Sequence, residues 1–237
     1  MRVGIVAGSF KPYHAGHHKM VEVAAENNDQ VYLFVSTTDR LRKGEHPLYG
    51  KDMRKVWNDH LNGILPNNVH LYLLGPGQAP IRSVYELLED ASKKGMDDHF
   101  TIYSDPVDMS RNYREASLTK SVGEDFLKNQ IEKRPLDRNE TVPVSGTDMR
   151  RHLADGNDEA FKDMLPYQLS DASKQEVFDT LSGKALQESL LRAFIRTKKN
   201  EKGEWEVYFA DGKTRGGTLG LTFEGGTNVD NKTLDIK

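Results

Sequence analysis

Two histidines three residues apart, His14 and His17, are the side chains of this sequence whose spacing most clearly suggests chemistry. They follow an apolar run at 3–7 and Gly8, and they precede a helical pattern at 19–25. A strand, a glycine-containing turn and a helix in that order form a phosphate site in α/β proteins, because turn amides and the positive end of the helix dipole face one point. Residues three apart lie one helical turn apart, so both rings can reach one polyphosphate. The alternative is that His14 caps or packs at the helix start while His17 is a satisfied surface histidine.

A second cluster of hydrogen-bond donors occurs much later, at Ser145, Thr147 and Arg150. Residues 141–144 predict a short strand, and Ser145 or Thr147 suits the N-cap of the helix that follows. The amides of the first helical turn and the Arg150 guanidinium would form a second anion clamp. For Arg150 alone the alternative is a solvated helix face. We expect the two clusters to close around one polyanion.

Both clusters resemble known signatures. Residues 8–17, GSFKPYHAGH, resemble the GxFxPxHxGH signature of the HxGH nucleotidyltransferase superfamily. Residues 144–153, VSGTDMRRHL, resemble its second signature, I-S-x-T-x-I-R, and the continuation at 154–166 is similar to archaeal-type nicotinamide-mononucleotide (NMN) adenylyltransferases. The resemblance implies an α/β fold with a Rossmann-like, doubly wound, parallel five-stranded sheet in the strand order 3-2-1-4-5.

The resemblance also implies a reaction, in which a substrate phosphate attacks the α-phosphorus of a nucleoside triphosphate and pyrophosphate leaves. The nucleophile is already an anion, so the protein must position two like-charged groups and neutralise the growing charge. The catalytic roles implied are those of His14 and His17, which contact the triphosphate, with His17 donating to the α-phosphate. Gly8, Ser9 and Phe10 would supply the turn, and the Ser9 hydroxyl would face the phosphate under attack.

The remaining nucleotide-binding residues implied by the resemblance are Gly16, Ser145, Thr147 and Arg150. Gly16 would let the helix backbone approach the nucleotide, because a side chain there would collide with the base or ribose. Ser145, Thr147 and Arg150 would hold the β- and γ-phosphates, and Arg150 is also assigned to catalysis.

Four more positions bear on the site. Lys43 follows the second predicted strand and is similar in place to a basic residue that the family brings to the triphosphate; the alternative is a solvated basic loop. Arg82 and Asp105 are candidates for binding the second substrate, and the alternative for Arg82 is a plain surface arginine. Many relatives carry Asp or Gln where Lys11 stands, so Lys11 either adds positive charge near the phosphates or points to solvent. Magnesium is expected, carried by triphosphate oxygens and water, and we assign no metal ligand in the chain.

Composition narrows the classes of function. The chain has 237 residues, a formal net charge of −3 and no cysteine. The charge is unlike that of a general nucleic-acid binder, and the lack of cysteine excludes disulfides, thiolate catalysis and cysteine-bound metal centres. No apolar run approaches the ~20 residues that span a bilayer, and the first strand begins too early for a signal peptide. We therefore expect a cytoplasmic protein without nucleic-acid or membrane partners, and self-association would be a use for its C-terminal region.

Apolar runs alternate with helical patterns, as in a parallel α/β sheet. The predicted strands are 2–7, 31–36, 69–74, 100–104 and 141–144. The predicted helices are 15–26, 51–61, 81–94, 147–155 and a shorter one at 159–164. We expect a nucleotidyltransferase domain at 1–166, in which 105–140 is either an insertion over the second-substrate site or a solvated helical crossover. Residues 167–237 would be a small α+β appendage, helical over 171–196 and then β-rich, with a strand at 204–209, an Asp-Gly turn and a possible strand near 219–223.

The sequence therefore predicts an enzyme that transfers AMP from ATP to a phosphorylated small molecule, with NMN as the leading acceptor. A cytidylyltransferase acting on a phosphorylated alcohol or sugar is the first alternative, although the R-T-x-G-I-S-T form of its second signature is absent. A nucleotide-binding subunit without turnover is the alternative from another class.

Overall fold

The computed structural model describes residues 1–137, 140–183, 196–199, 205–208, 221–223 and 234–236. The chain divides into two compact units, Met1–Ser182 and Gly183–Lys237. No helix among these described residues is long and apolar enough to cross a membrane.

The first unit is built on a sheet of parallel strands in the order β3-β2-β1-β4-β5. The strands are β1 (Arg2–Gly8), β2 (Gln30–Ser36), β3 (Val69–Leu74), β4 (His99–Ser104) and β5 (Ile131–Pro135). This confirms the predicted fold class and strand order. Because the order reverses between β1 and β4, the turns after these two strands diverge and leave a crevice at their carboxyl ends.

Nine α-helices among the described residues connect and cover the strands. They are α1 (Ala15–Asn27), α2 (Gly50–Val56), α3 (Pro80–Lys93), α4 (Pro106–Asn112), α5 (Glu115–Val122), α6 (Glu124–Gln130), α7 (Gly146–Asp155), α8 (Asp158–Asp163) and α9 (Asp171–Ser182). A π-helical turn, Trp57–Leu61, continues α2, so the helix predicted at 51–61 is observed as one helical stretch of two types. α7 ends at Gly156, whose positive φ of 68° is the left-handed conformation that glycine adopts readily after a helix.

The sheet buries apolar side chains on both faces. Val6 of β1 belongs to the core that includes Val21 of α1 and Leu153 of α7, whereas Ile5 belongs to the core that includes Leu88 of α3. Adjacent residues of a strand point to opposite faces, which explains how one run supplies both cores. Continuous apolar runs are typical of such doubly covered strands.

The fifth strand was predicted in the wrong place. The structure forms β5 at Ile131–Pro135, paired with β4, while residues 141–144 are a loop. β5 is an edge strand with the sequence Ile-Glu-Lys-Arg-Pro, and no residue in it is fully buried. A strand that buries so little lacks the apolar pattern on which the prediction relied. The apolar residues at 142 and 144 show that pattern, so the strand was predicted there instead.

Residues 105–130 form the crossover from β4 to β5, and the remainder of the segment 105–140 is β5 itself and the loop after it. The crossover alternative therefore describes the larger part of the segment. Leu118 and Val122 of α5 are buried in the core that contains Val84 and Leu88 of α3. The segment is therefore part of the fold, although its two ends also line the site described below.

The first unit extends beyond the predicted boundary at residue 166. Val177, Phe178 and Leu181 of α9 are buried in the core shared with α7 and α8, and the Phe161 and Phe178 rings lie 5.5 Å apart. α9 was assigned to the appendage because the chain changes character after Pro166, but its apolar residues complete the main core.

The second unit contains two antiparallel strand pairs among its described residues. β6 (Arg196–Lys199) pairs with β7 (Trp205–Tyr208), and β8 (Leu221–Phe223) pairs with β9 (Leu234–Ile236). The strand predicted at 204–209 and the possible one near 219–223 overlap β7 and β8. The predicted Asp-Gly turn and the helical pattern over 184–195 lie outside the described residues.

Candidate active site

The first motif forms a tight turn between β1 and α1. Phe10 lies at the turn with a positive φ of 47°, and its buried ring packs edge-on against Tyr13. A Cβ atom at Gly8 would lie 2.9 Å from the Phe10 ring, so the turn requires a glycine there. Ser9, which lies between these two residues, is exposed at the surface of the cleft described below.

His14 and His17 stand together at the start of α1. His14 is the N-cap, and its Nδ1 accepts a hydrogen bond from the His17 amide at 3.3 Å. The two rings stack with centroids 3.5 Å apart. His14 therefore caps the helix, as one alternative proposed, and still lines the cleft beside His17.

The surroundings of His17 favour the neutral form of its ring. Burial, followed by the neighbouring charge of His14, lowers the pKa of His17 well below the usual 6.5. Its Nδ1 is buried and has no hydrogen-bond partner among the described residues, so we expect Nε2 to be the nitrogen that contacts a ligand. A neutral imidazole has one N–H, so His17 can act as a hydrogen-bond donor without carrying a charge.

The next histidine, His18, has a structural role. It is only 2% exposed, its Nδ1 lies 3.2 Å from the Tyr13 hydroxyl, and its Nε2 lies 3.7 Å from Glu22. It does not line the cleft, so the motif's chemistry rests on His14 and His17.

The second motif forms the start of α7. The Ser145 hydroxyl is the N-cap and accepts a hydrogen bond from the Thr147 amide at 3.1 Å. Arg150, one turn later, is 8% exposed, and its Nη2 donates to the Thr147 hydroxyl at 2.9 Å. A buried guanidinium held by its neighbours presents its donors in a fixed geometry, which suits phosphate recognition.

Arg150 joins the two motifs directly. Its Nη1 donates to the main-chain carbonyl of Lys11 at 2.9 Å, and its Nε lies 3.0 Å from Glu45. Glu45 also binds Arg40 through both carboxylate oxygens, at 2.8 and 3.0 Å. The Arg40 hydrogen bond is the main reason that the pKa of Glu45 lies below its usual range. Glu45 therefore holds two cations at the place where we expect phosphates to bind.

A cleft of about 310 Å³ lies between the motifs at the carboxyl ends of β1 and β4. It is lined by both motifs and by neighbouring residues: Ala7, Gly8, Ser9, Phe10, Lys11, Pro12, His14, His17, Met20, Arg40, Ser104, Asp105, Asp108, Gly146, Thr147 and Arg150. An adjoining cleft of about 560 Å³ shares His14, His17, Met20, Asp105 and Gly146 with it and extends toward Val107, Leu136 and Val142. Ser145 and Gly16 line this larger, more apolar cleft.

Gly16 is required by the protein itself. A Cβ atom at this position would lie 2.6 Å from the main-chain carbonyl oxygen of Val142, closer than real Cβ contacts come. The loop before α7 thus rests directly on the first turn of α1. The family resemblance implied that a glycine here lets the helix backbone approach the nucleotide. In the structure, the close contact at this glycine is between the two motif regions.

Two predicted site residues lie away from the cleft. Lys43 is exposed in the loop after β2, and Arg82 is exposed on α3, where it pairs with Glu86 at 2.8 Å. Arg40 lines the cleft in place of Lys43, because the loop folds back on itself through paired main-chain hydrogen bonds between Arg40 and Leu48. The basic run at 40–43 does not specify the conformation of the loop. The sequence alone therefore does not show which of these cations lines the cleft.

Asp105 lies in the cleft as predicted, and its carboxylate caps α4 by accepting the amides of Val107 and Asp108 at 2.9 and 3.0 Å. Asp108, which the sequence analysis did not single out, lines the cleft beside it. Burial and then the charge of Asp105 raise the pKa of Asp108. The described residues contain no group of three or more side chains arranged to hold a metal ion.

Comparison with known proteins gives a family match for part of the chain. Residues 5–56 match the family model described as cytidylyltransferase-like. No curated protein sequence matches the chain.

The solved structures that are similar to it include the following two. One is a bifunctional NMN adenylyltransferase/ADP ribose pyrophosphatase from Francisella tularensis, with 15% identity and a TM-score of 0.46, over 88% of this chain and 68% of that one. The other is the NadR protein in complex with NR, with 21% identity and a TM-score of 0.44, over 81% of this chain. This chain covers 51% of the NadR chain, about half of its length. The family match covers residues 5–56, which contain the whole first motif, and over this part of the chain it confirms the resemblance to the nucleotidyltransferase superfamily.

Proposed function

We propose that this protein is an adenylyltransferase that joins AMP from ATP to a phosphorylated small molecule, with NMN as the leading acceptor and NAD as its product. The observation that carries the proposal is the shared cleft, in which His14 and His17 of the first motif meet Thr147 and Arg150 of the second. Donors from two separated parts of the chain converge there, as binding of one polyanion requires.

The cleft's residues suit a displacement at phosphorus. An oxygen of the acceptor phosphate attacks the α-phosphorus of ATP, the bond from the α-phosphorus to the bridging oxygen breaks, and pyrophosphate leaves. His17 donates through Nε2 to the α-phosphate, and Thr147 and Arg150 hold the leaving phosphates. Donors fixed before the reaction stabilise the developing charge without reorganising, which is the main source of catalysis in such sites.

The neighbouring, more apolar cleft suits the nucleoside. Met20, Leu136, Val142 and Val144 contribute apolar surface there, next to the amino end of α7. A flat base would bury apolar area against these side chains while its phosphates reach the donors. The choice of ATP over CTP rests on the second motif, whose SGTxxR form is similar to that of the adenylyltransferases.

Magnesium belongs to the proposal as a companion of the triphosphate. Mg²⁺ keeps much of its water shell and takes substrate oxygens as ligands, so a dedicated cage is unnecessary. The carboxylates of Asp105 and Asp108 reach the cleft and are compatible with a hydrated cation. We assign neither as a direct ligand.

A screen for pyrophosphate release tests the proposal. The purified protein is incubated with ATP, CTP, GTP or UTP and magnesium, each combined with NMN, phosphopantetheine, FMN, and sugar or choline phosphates. We expect release with ATP and NMN, and formation of NAD in the same mixture. Release with CTP and an alcohol or sugar phosphate would favour the cytidylyltransferase alternative. Tight binding of a triphosphate in calorimetry without turnover of any acceptor would favour a non-catalytic nucleotide-binding subunit.

A further inference from the structure

Lys11 is a cleft residue whose charge the proposed function leaves unused. Its side chain is buried, with 9% exposure, and its Nζ donates to the hydroxyls of Thr38 at 2.9 Å and Ser36 at 3.2 Å. Within the described part of the chain no carboxylate lies at ion-pair distance from it. Asp39, the closest acidic influence, accepts the Gly50 amide at 2.7 Å.

Among the described residues, this arrangement leaves a buried cation without an ion-pair partner, and Asp39 acts on it only at longer range. Removing an ammonium group from water is unfavourable unless an anion and hydrogen bonds compensate, and two hydroxyls satisfy only two of its three donors. Burial is the main cause, and the charge of Arg40 the next, of a lowered pKa for Lys11. A phosphate of a ligand would supply the missing negative charge.

Lys11 also lies between two clefts. Its main-chain carbonyl accepts a hydrogen bond from Arg150 of α7, and its ammonium donates to Thr38 just after β2. In the sheet, β2 flanks β1 on the side away from β4. Thr38, its closest partner, lines a separate cleft of about 400 Å³ at the ends of β2 and β3, together with Thr37, Asp39, Lys51 and Arg54. The ammonium is thus held at the boundary between this β2–β3 cleft and the cleft of the two motifs.

We propose that Lys11 binds the attacking phosphate of the acceptor, and that the rest of the acceptor lies in the β2–β3 cleft. The inference rests on the proposed function. In an in-line displacement the nucleophile enters opposite the leaving group. Arg150 and Thr147 hold the leaving pyrophosphate on the α7 side, so a cation at the end of β2 is placed for the incoming phosphate. The acceptor class is a phosphate monoester whose remainder is polar enough to meet Lys51, Arg54 and the threonine hydroxyls.

The test compares Lys11→Gln and Lys11→Arg in the full chain, with Lys93→Gln as a control that removes an exposed charge on α3, far along the chain from both motifs. Steady-state kinetics of pyrophosphate release give separate KM values for ATP and for NMN, or for whichever acceptor the screen identifies. We expect Lys11→Gln to raise the acceptor KM about ten- to a hundred-fold, the range of a lost charge-assisted hydrogen bond, with little change in the KM for ATP. Lys11→Arg should restore part of the acceptor affinity, and the control should match the wild type.

A larger effect of Lys11→Gln on the KM for ATP than on that for the acceptor would overturn the inference, because Lys11 would then serve the nucleotide. An unchanged acceptor KM in a folded variant would overturn it as well. Should Lys11→Gln fail to fold, Lys51→Gln on the exposed rim of the β2–β3 cleft replaces it, and an unchanged acceptor KM there would contradict the placement of the acceptor. Absence of turnover by the wild type with every acceptor would instead refute the proposed function itself.

Discussion

The imidazole of His17 lies among three other rings. Its centroid is 3.5 Å from that of His14, 4.7 Å from that of Phe10 and 5.7 Å from that of Tyr13. This packing both desolvates the ring and fixes its orientation. The sequence identified His14 and His17 because motif spacing alone placed them at the helix start. The packing that lowers the pKa of His17 depends on the turn at Phe10, which only the folded backbone shows.

We expect His17→Ala to reduce kcat by about 10²–10³, the usual loss when one preorganised donor to a reacting oxyanion is removed. Affinity for ATP should change less, because other donors hold the remaining phosphates. Pyrophosphate-release kinetics and nucleotide titration measure the two effects. His70→Ala, on the exposed edge strand β3, is the matched control. Near-normal turnover of the His17 variant would contradict its assigned role.

The lowered pKa of His17 also predicts how stability depends on pH. In the unfolded chain the ring takes up a proton as the pH falls through about 6.5, whereas the folded protein resists protonation until a lower pH. The unfolded state therefore binds more protons in this window, and stability is lost as the pH falls. His17→Gln should lose less stability than the wild type between about pH 7.5 and about pH 5.5. Urea unfolding at both pH values measures this, and equal losses would show that His17 does not contribute.

At the scale of elements, the sequence predicted most helices and the four inner or apolar strands, because periodicity and capping residues are local signals. It misplaced β5, since an edge strand with little burial carries no such signal. The prediction also named Lys43 as the cation near the triphosphate, whereas Arg40 lines the cleft. Main-chain pairing between Arg40 and Leu48 closes the loop after β2, and the sequence does not show this pairing. Site residues supplied by loops were therefore harder to predict than those at helix starts.

Gly16 offers a test of the contact between α1 and the loop before α7. We expect Gly16→Ala to destabilise the protein by about 1–3 kcal/mol, the usual cost of forcing an extra carbon into a packed contact. The added Cβ would press on the Val142 carbonyl and move the two motifs apart, so activity should fall as well. Gly63→Ala is the control, because a Cβ there meets nothing within 4 Å, and its effect should stay within about 0.5 kcal/mol. Thermal unfolding and pyrophosphate release measure both variants, and equal stability of the two would show that the loop yields freely.

At the scale of the molecule, the main error of the prediction from the sequence was the domain boundary at residue 166. Composition changes after Pro166, but α9 contributes Val177, Phe178 and Leu181 to the core of the first unit. Changes in composition reflect surface as well as core, so they locate a boundary less reliably than burial does. The overall class followed from the alternation of strands and helices, and the strand order was implied by the family that the two motifs resemble.

Truncation tests this boundary. A chain ending at residue 183 keeps all residues of both described cores, and we expect it to unfold cooperatively near the temperature of the full chain. A chain ending at residue 166 loses α9, and removal of a large buried side chain such as Phe178 alone costs about 3–5 kcal/mol. Circular dichroism melting curves compare the two. Equal stability of the shorter and longer fragments would place the boundary back at residue 166.

The guanidinium of Arg150 binds the main chain of the same lysine whose ammonium reaches the end of β2. A triphosphate that engages this arginine would therefore act on the peptide that carries the acceptor's cation. Two substrates without a shared contact would then alter each other's affinity through one intervening residue, and thermodynamic reciprocity requires the coupling to be equal in both directions.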